Sequence, residues 1–207
     1  MKFYLSSYHL GNHPEELSKM FEVNKKVAII TNAMDAYSNP AEVKEGIEGN
    51  IAEIKGVGLI PEILDLREYF GKNEELSKKL SKFGGVWVRG GNTFILRKAF
   101  TQSGFDEWLI EHKNDKDFVY AGYSAGVCLL SPSLKGLEIV DDPNVTGSGY
   151  NPGTIWEGLG FVDYLIVPHY KSDHHESYLV DKTVDWCEKN KIKYKTLRDG
   201  EVIIMKI

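Results

Sequence analysis

Cysteine is nearly absent from this 207-residue chain, which holds only Cys128 and Cys187. Two thiols cannot build a disulfide framework, and without a C-x-x-C pair neither a metal ribbon nor a dithiol redox site is indicated. Long apolar runs are missing too, since nothing approaches the roughly 20 residues needed to cross a bilayer. The N-terminal MKFYLSSYHLGNHPEE lacks the uninterrupted apolar segment of a signal peptide and reads as a first strand. A cytoplasmic protein is therefore expected, and the Asn144-Val145-Thr146 sequon carries no weight. Basic charge is not in excess: the formal net charge is -5, with no basic stripe interleaved with aromatics, so nucleic acid is not an expected partner. No Pro/Gly/Ser linker, repeat or low-complexity tract divides residues 1–207, so one domain is expected.

What is present is an alternation of short apolar runs and longer amphipathic segments. Lys2 to Ser6, Val27 to Ile30, Ile60 to Leu66, Val86 to Val88, Phe118 to Ala121 and Leu165 to Val167 read as strands. The continuous β-branched run at Val27 to Ile30 suits a strand buried on both faces. Between the strands, Val43, Ile47, Ile51 and Ile54 recur at helical spacing after Ser38-Asn39-Pro40, a helix start. Pro14 to Phe21, Leu76 to Phe83, Thr93 to Phe100, the segment after Gly126, and Val180 to Cys187 read as further helices. Tyr194 to Ile207 reads as a hairpin around Asp199-Gly200. Strands alternating with helices predict an α/β fold with a mainly parallel central sheet, flanked by helices on both faces.

In such sheets ligands sit at the carboxyl ends of the strands. Gly122-Tyr123-Ser124-Ala125-Gly126 lies there, and G-x-S-x-G between a strand and a helix is the nucleophile-elbow pattern. A tight turn that merely contains a serine is the bland alternative. The N–H of Ala125 at the following helix start can donate to an oxyanion. A second glycine turn, Arg89-Gly90-Gly91-Asn92, also ends a strand and opens a helix, so Gly91 could supply another N–H. Equally, Asn92 or Thr93 there could simply cap the helix. A nucleophilic serine needs a base. Of the six histidines, His169 ends the strand Leu165 to Val167 at the same rim, while His9 is a weaker candidate and His112 sits in a charged helix end. Asp173-His174-His175-Glu176 lacks established metal-ligand spacing and reads as a solvated loop, so no metal is expected. For the acid that orients the imidazole, Glu138 is the first choice because apolar neighbours would carry it into the fold. Asp141, Asp142 and Asp199 are the alternatives.

Taken together, Gly90-Gly91-Asn92-Thr93-Phe94, the serine pentapeptide, Pro168-His169-Tyr170 and the Asp142-Pro143 pair resemble the dipeptidase E family of serine peptidases, relatives of cyanophycinase. The resemblance implies a fold similar to class I glutamine amidotransferases and a serine peptidase acting on short peptides. It implies Ser124 as nucleophile, His169 as base, an acid from the Glu138 region, and oxyanion donors at Gly91 and Ala125. Asn92, Tyr123, Tyr170 and Lys171 would contact substrate. No metal or organic cofactor is implied, and a monomer or homodimer is expected. The amidotransferase relatives carry a glutamate two residues after the histidine, where this chain has Lys171, and serine at the elbow disfavours glutamine hydrolysis. Dipeptidase E reads its aspartyl substrate with an arginine beyond the histidine. Here Tyr170 to Val184 contains none, the arginines being Arg67, Arg89, Arg97 and Arg198, so strict aspartyl specificity is not expected. Two rival readings are a small-substrate esterase or amidase and a catalytically silent ligand- or partner-binding domain.

Overall fold

The computed structural model describes residues 1–206. Its six-stranded sheet is built from β1 (Lys2–Ser6), β2 (Lys26–Ile30), β3 (Ile60–Ile63), β4 (Gly85–Val88), β5 (Val119–Tyr123) and β8 (Val202–Lys206), in the order β3-β2-β4-β5-β1-β8. All neighbours are parallel except β1 and β8. The mainly parallel sheet expected from the alternation is therefore present.

Side-chain alternation along the strands divides the core in two. Phe3, Leu5, Ala28, Ile30, Val86, Val88 and Tyr120 face one side. There they meet α3 (Asn73–Leu80), α4 (Thr93–Ser103), α5 (Phe105–Glu111), the four-residue α6 (Ala125–Cys128) and α7 (Ser177–Asn190). Tyr4, Val27, Ile29, Trp87, Val119, Ala121 and Tyr123 face the other, covered by α1 (Pro14–Met20) and α2 (Pro40–Gly56). Period two within the strands makes both faces apolar, which is why these strands read as continuous hydrophobic runs. Helix α2 begins where Ser38-Asn39-Pro40 predicts: Asn39 caps it by accepting from the Ala41 N–H, with Pro40 in the first turn.

The C-terminal segment is not a hairpin. β7 (Tyr194–Thr196) pairs in parallel with β6 (Leu165–Val167) in a separate two-stranded sheet, whereas β8 crosses to the central sheet and pairs with β1. The Asp199-Gly200 turn thus links two sheets instead of two arms of a ribbon. That crossing carries Asp199 to the carboxyl ends of β1 and β6. Helix α5 is an addition to the elements expected from the sequence; Phe105, Trp108 and Leu109 bury its inner face.

Candidate active site

Ser124 stands directly after β5, before α6, with φ 51 and ψ -122. A positive φ is costly for a residue with a Cβ and is held only where the surroundings over-determine it. Here the surroundings are glycines. A Cβ on Gly122 or Gly126 would lie 2.5 or 2.3 Å from the Val88 carbonyl oxygen, so only glycine lets β5 and α6 both press against β4. A Cβ on Gly90 would lie 2.8 Å from the Ser124 Cβ, so the second glycine turn packs directly against the serine. Among the described residues, neither the Gly91 nor the Ala125 N–H donates to a protein acceptor.

His169 follows β6, is 2% exposed and also has a positive φ, 61. Its Nδ1 bonds Asp199 Oδ1 at 2.7 Å. Ser7, at the end of β1, joins them without any forewarning in the sequence. It is fully buried, and its Oγ accepts from the His169 N–H at 2.9 Å and approaches Asp199 Oδ1 at 3.0 Å and the Leu197 carbonyl at 3.2 Å as donor. The Asp199 N–H donates to Ser172 Oγ at 2.8 Å. An SS pair after a strand gives no signal of this role in one dimension.

The other candidate acids are spent elsewhere. Glu138, the first choice, lies in a 3-10 turn (Leu137–Ile139), and its Oε2 accepts from the Gly136 N–H. Of its apolar neighbours Leu137 turns inward, but the carboxylate closes its own turn and does not meet the imidazole. Asp142 Oδ1 accepts from the Asn144 N–H. Asp141 accepts from the Thr93 N–H at 2.8 Å, at the start of α4. Burial, chiefly, pushes its carboxyl up to about 6.

Two cavities meet at Ser124, and His169 lines both. The first, about 30 Å³, is walled by Leu137, Val140, Val167 and Val180, with Thr93, Asp141 and Glu176 as polar lining. The second, about 220 Å³, is polar: Tyr37, Glu42, Arg89, Tyr123, His174 and His175 surround it. Of the substrate candidates, Tyr123 lines the second cavity, its hydroxyl accepting from Asn50. Asn92 lines neither, because its Oδ1 caps α4 through the Phe94 and Ile95 N–H groups and its Nδ2 donates to the Asp142 carbonyl. Tyr170 and Lys171 line neither and pair with each other, the ammonium 5.0 Å from the ring centre. His9 lines the second cavity against Glu53 and Tyr123, and His112 stacks on Trp108.

His169, His174 and Glu176 hold ligand atoms within 4.8 Å of one another, the one such trio among the described residues. The two imidazoles are stacked, with centres 3.8 Å apart and planes 10° apart. A metal bound through imidazole nitrogen lies in the ring plane, so one ion cannot serve both rings unless one rotates. Among the described residues no helix is long and apolar enough to cross a membrane.

A strained serine between strand and helix, sharing its cavities with an imidazole bonded to a carboxylate, is the build of a serine hydrolase. Residues 12–206 match the model of peptidase family S51, and the chain belongs to that family. It is a serine-type peptidase. An uncharacterized peptidase of Listeria monocytogenes serovar 1/2a is 28% identical over 173 residues, covering 83% of this chain and 80% of the relative. Peptidase E of Streptomyces coelicolor is 28% identical over 145 residues, covering 66% and 54%. In fold, the chain is similar to the crystal structure of a peptidase E candidate from Listeria monocytogenes EGD-e, with TM-score 0.71, 23% identity, and coverage of 100% and 98%.

Proposed function

We propose that the protein hydrolyses short peptides through a Ser124–His169–Asp199 triad. The observation that carries this reading is the 2.7 Å bond from His169 Nδ1 to Asp199 in an imidazole that shares both cavities with Ser124. A proton on Nδ1 leaves the Nε2 lone pair to take the Ser124 proton as Oγ attacks the scissile carbonyl. Negative charge then develops on the carbonyl oxygen, and the free N–H groups of Gly91 and Ala125 are the donors for it. Losing one such donor costs roughly 3–4 kcal/mol of transition-state stabilisation. His169 returns its proton to the leaving amine, and water hydrolyses the serine ester by the same steps in reverse order.

Arg89 supports a finer statement about the substrate. It directly follows β4 and lines the cavity that opens on Ser124. Its guanidinium donates from Nη1 to the Gly90 carbonyl at 2.8 Å, its buried Nε has no hydrogen-bond partner, and no carboxylate pairs with it among the described residues. A spare guanidinium beside the nucleophile suits a planar carboxylate, which it can grip with two parallel bonds. The arginine sought beyond the histidine is thus replaced by one that follows a different strand, and peptides with an N-terminal acidic residue are the substrates that fit.

A dipeptide panel with Asp, Glu, Asn, Ala or Lys at the N-terminus, read by mass spectrometry, tests both statements. Ser124→Ala should cut nothing above background, and a fully active Ser124→Ala removes the triad. Arg89→Met should reduce kcat/KM for Asp-X about 100-fold while changing Ala-X little. Equal losses on both substrates count against carboxylate recognition.

A further inference from the structure

Besides the Asp199 bond, His169 carries a second contact that the triad does not require. His174, in the loop between β6 and α7, lies face to face on it, with ring centres 3.8 Å apart and planes 10° apart. Tyr8 stands T-shaped to both, its ring centre 5.6 Å from that of His169 and 5.3 Å from that of His174. The base is therefore gripped at Nδ1 by Asp199, on one face by His174, and in a T-shaped contact by Tyr8.

The protonation of His174 follows from its own hydrogen bond. Its Nδ1 accepts from the Glu176 N–H at 3.3 Å, so that nitrogen holds a lone pair and the ring is neutral, with its proton on Nε2. Burial, and next the nearness of His169, push His174 down to about 4. The other titratable groups facing the stack are Asp199 and Tyr8 from other elements, and His175 and Glu176 on the same loop.

We propose that His174 is a positioning residue for the base: a neutral aromatic platform that holds the His169 ring in register and stabilises it when it becomes charged. During turnover the base is an imidazolium, and a cation over a neutral π face is attracted to it. A protonated partner at the same distance would repel it, which gives the neutrality of His174 its significance. The platform also fixes the rotation of a ring that Asp199 alone would hold at a single nitrogen. This inference rests on the reading of His169 as the base.

The test compares His174→Ala, which removes the platform, with His174→Phe, which keeps a neutral ring but no nitrogen. Thermal melting establishes that each variant is folded. Two rates are read: kcat and KM on the best dipeptide, and the second-order rate of Ser124 labelling by a fluorophosphonate. His174→Ala should lower kcat and the labelling rate about 10-fold with KM within about 2-fold, and His174→Phe should recover most of both. A full-rate Ala variant, or a Phe variant as slow as Ala, overturns the platform. A rise in KM with kcat unchanged overturns it too, because that marks a substrate contact. If the wild-type protein neither cuts the panel nor accepts the label, the triad itself falls and the platform falls with it. A wild type that does both while the Ala variant matches it leaves the triad standing and removes only the platform.

Discussion

Ser7 holds His169 and Asp199 to each other through one oxygen. It receives the His169 main-chain N–H and faces the Asp199 carboxylate as donor; Ser7 and His169 are buried, and Asp199 is partly exposed. Ser7→Ala leaves that N–H buried without an acceptor, which typically costs about 1–3 kcal/mol. It also frees Asp199 to turn away from the imidazole, so kcat should fall more than KM rises. Asp199→Asn goes further, since an amide can present its N–H to Nδ1 and favour the wrong tautomer; the loss in kcat should reach about 10³-fold or more. Glu138→Gln, by contrast, should retain kcat within about 2-fold, because its carboxylate serves only the Gly136 turn. Steady-state kinetics on one dipeptide separates the three, and a Glu138→Gln loss as large as that of Asp199→Asn would return Glu138 to the triad.

At the scale of elements, the start of α4 organises one wall of the site. Asn92 caps the helix with Oδ1 while its Nδ2 pins the Asp142 carbonyl, and the next N–H, of Thr93, holds the Asp141 carboxylate. Asn92→Ala should cost about 1–2 kcal/mol by urea denaturation, and Asn92→Asp, which keeps the cap acceptor, should cost less. Equal losses in the two variants would show that the Asp142 bond, not the cap, is the main contribution. This element is legible in the sequence because caps, glycine turns and strand runs are local signals. Ser124 and His169 are legible for the same reason, each placed at the end of an apolar run. Asp199 ranks only among the alternatives on sequence, because its reach depends on β7 and β8 joining different sheets, and nothing within a few residues of it records that pairing. Glu138 ranks first on its apolar flanks, which report burial of the segment and say nothing of where the carboxylate points. Arg89 stays hidden for a related reason. Only the parallel register of β4 with β5 sets it beside Ser124, 35 residues away in the chain.

For the molecule as a whole, two partly buried groups at the site oppose each other in the pH dependence of folding. Asp141 titrates near 6 in the fold against an ordinary 3.8, so between those values the folded chain binds more protons than the unfolded one, and stability falls as pH rises. His174 titrates near 4 against an ordinary 6.5, so between those values the unfolded chain binds more protons, and stability rises with pH. Across pH 4 to 6 the two slopes have opposite sign and nearly cancel. Removing either group should expose the other. Asp141→Asn keeps an acceptor for the Thr93 N–H but cannot titrate, so relative to wild type it should gain up to about 3 kcal/mol between pH 4 and 7, at about 1.4 kcal/mol for each pH unit separating the folded and unfolded titrations. His174→Phe should move the other way, losing ground to wild type over the same rise. Urea unfolding at half-unit steps of pH gives both difference curves, in which contributions from the remaining carboxylates cancel. Parallel curves for wild type and Asp141→Asn would mean that Asp141 titrates at its ordinary value in the fold, and that its cavity admits more water than its burial implies.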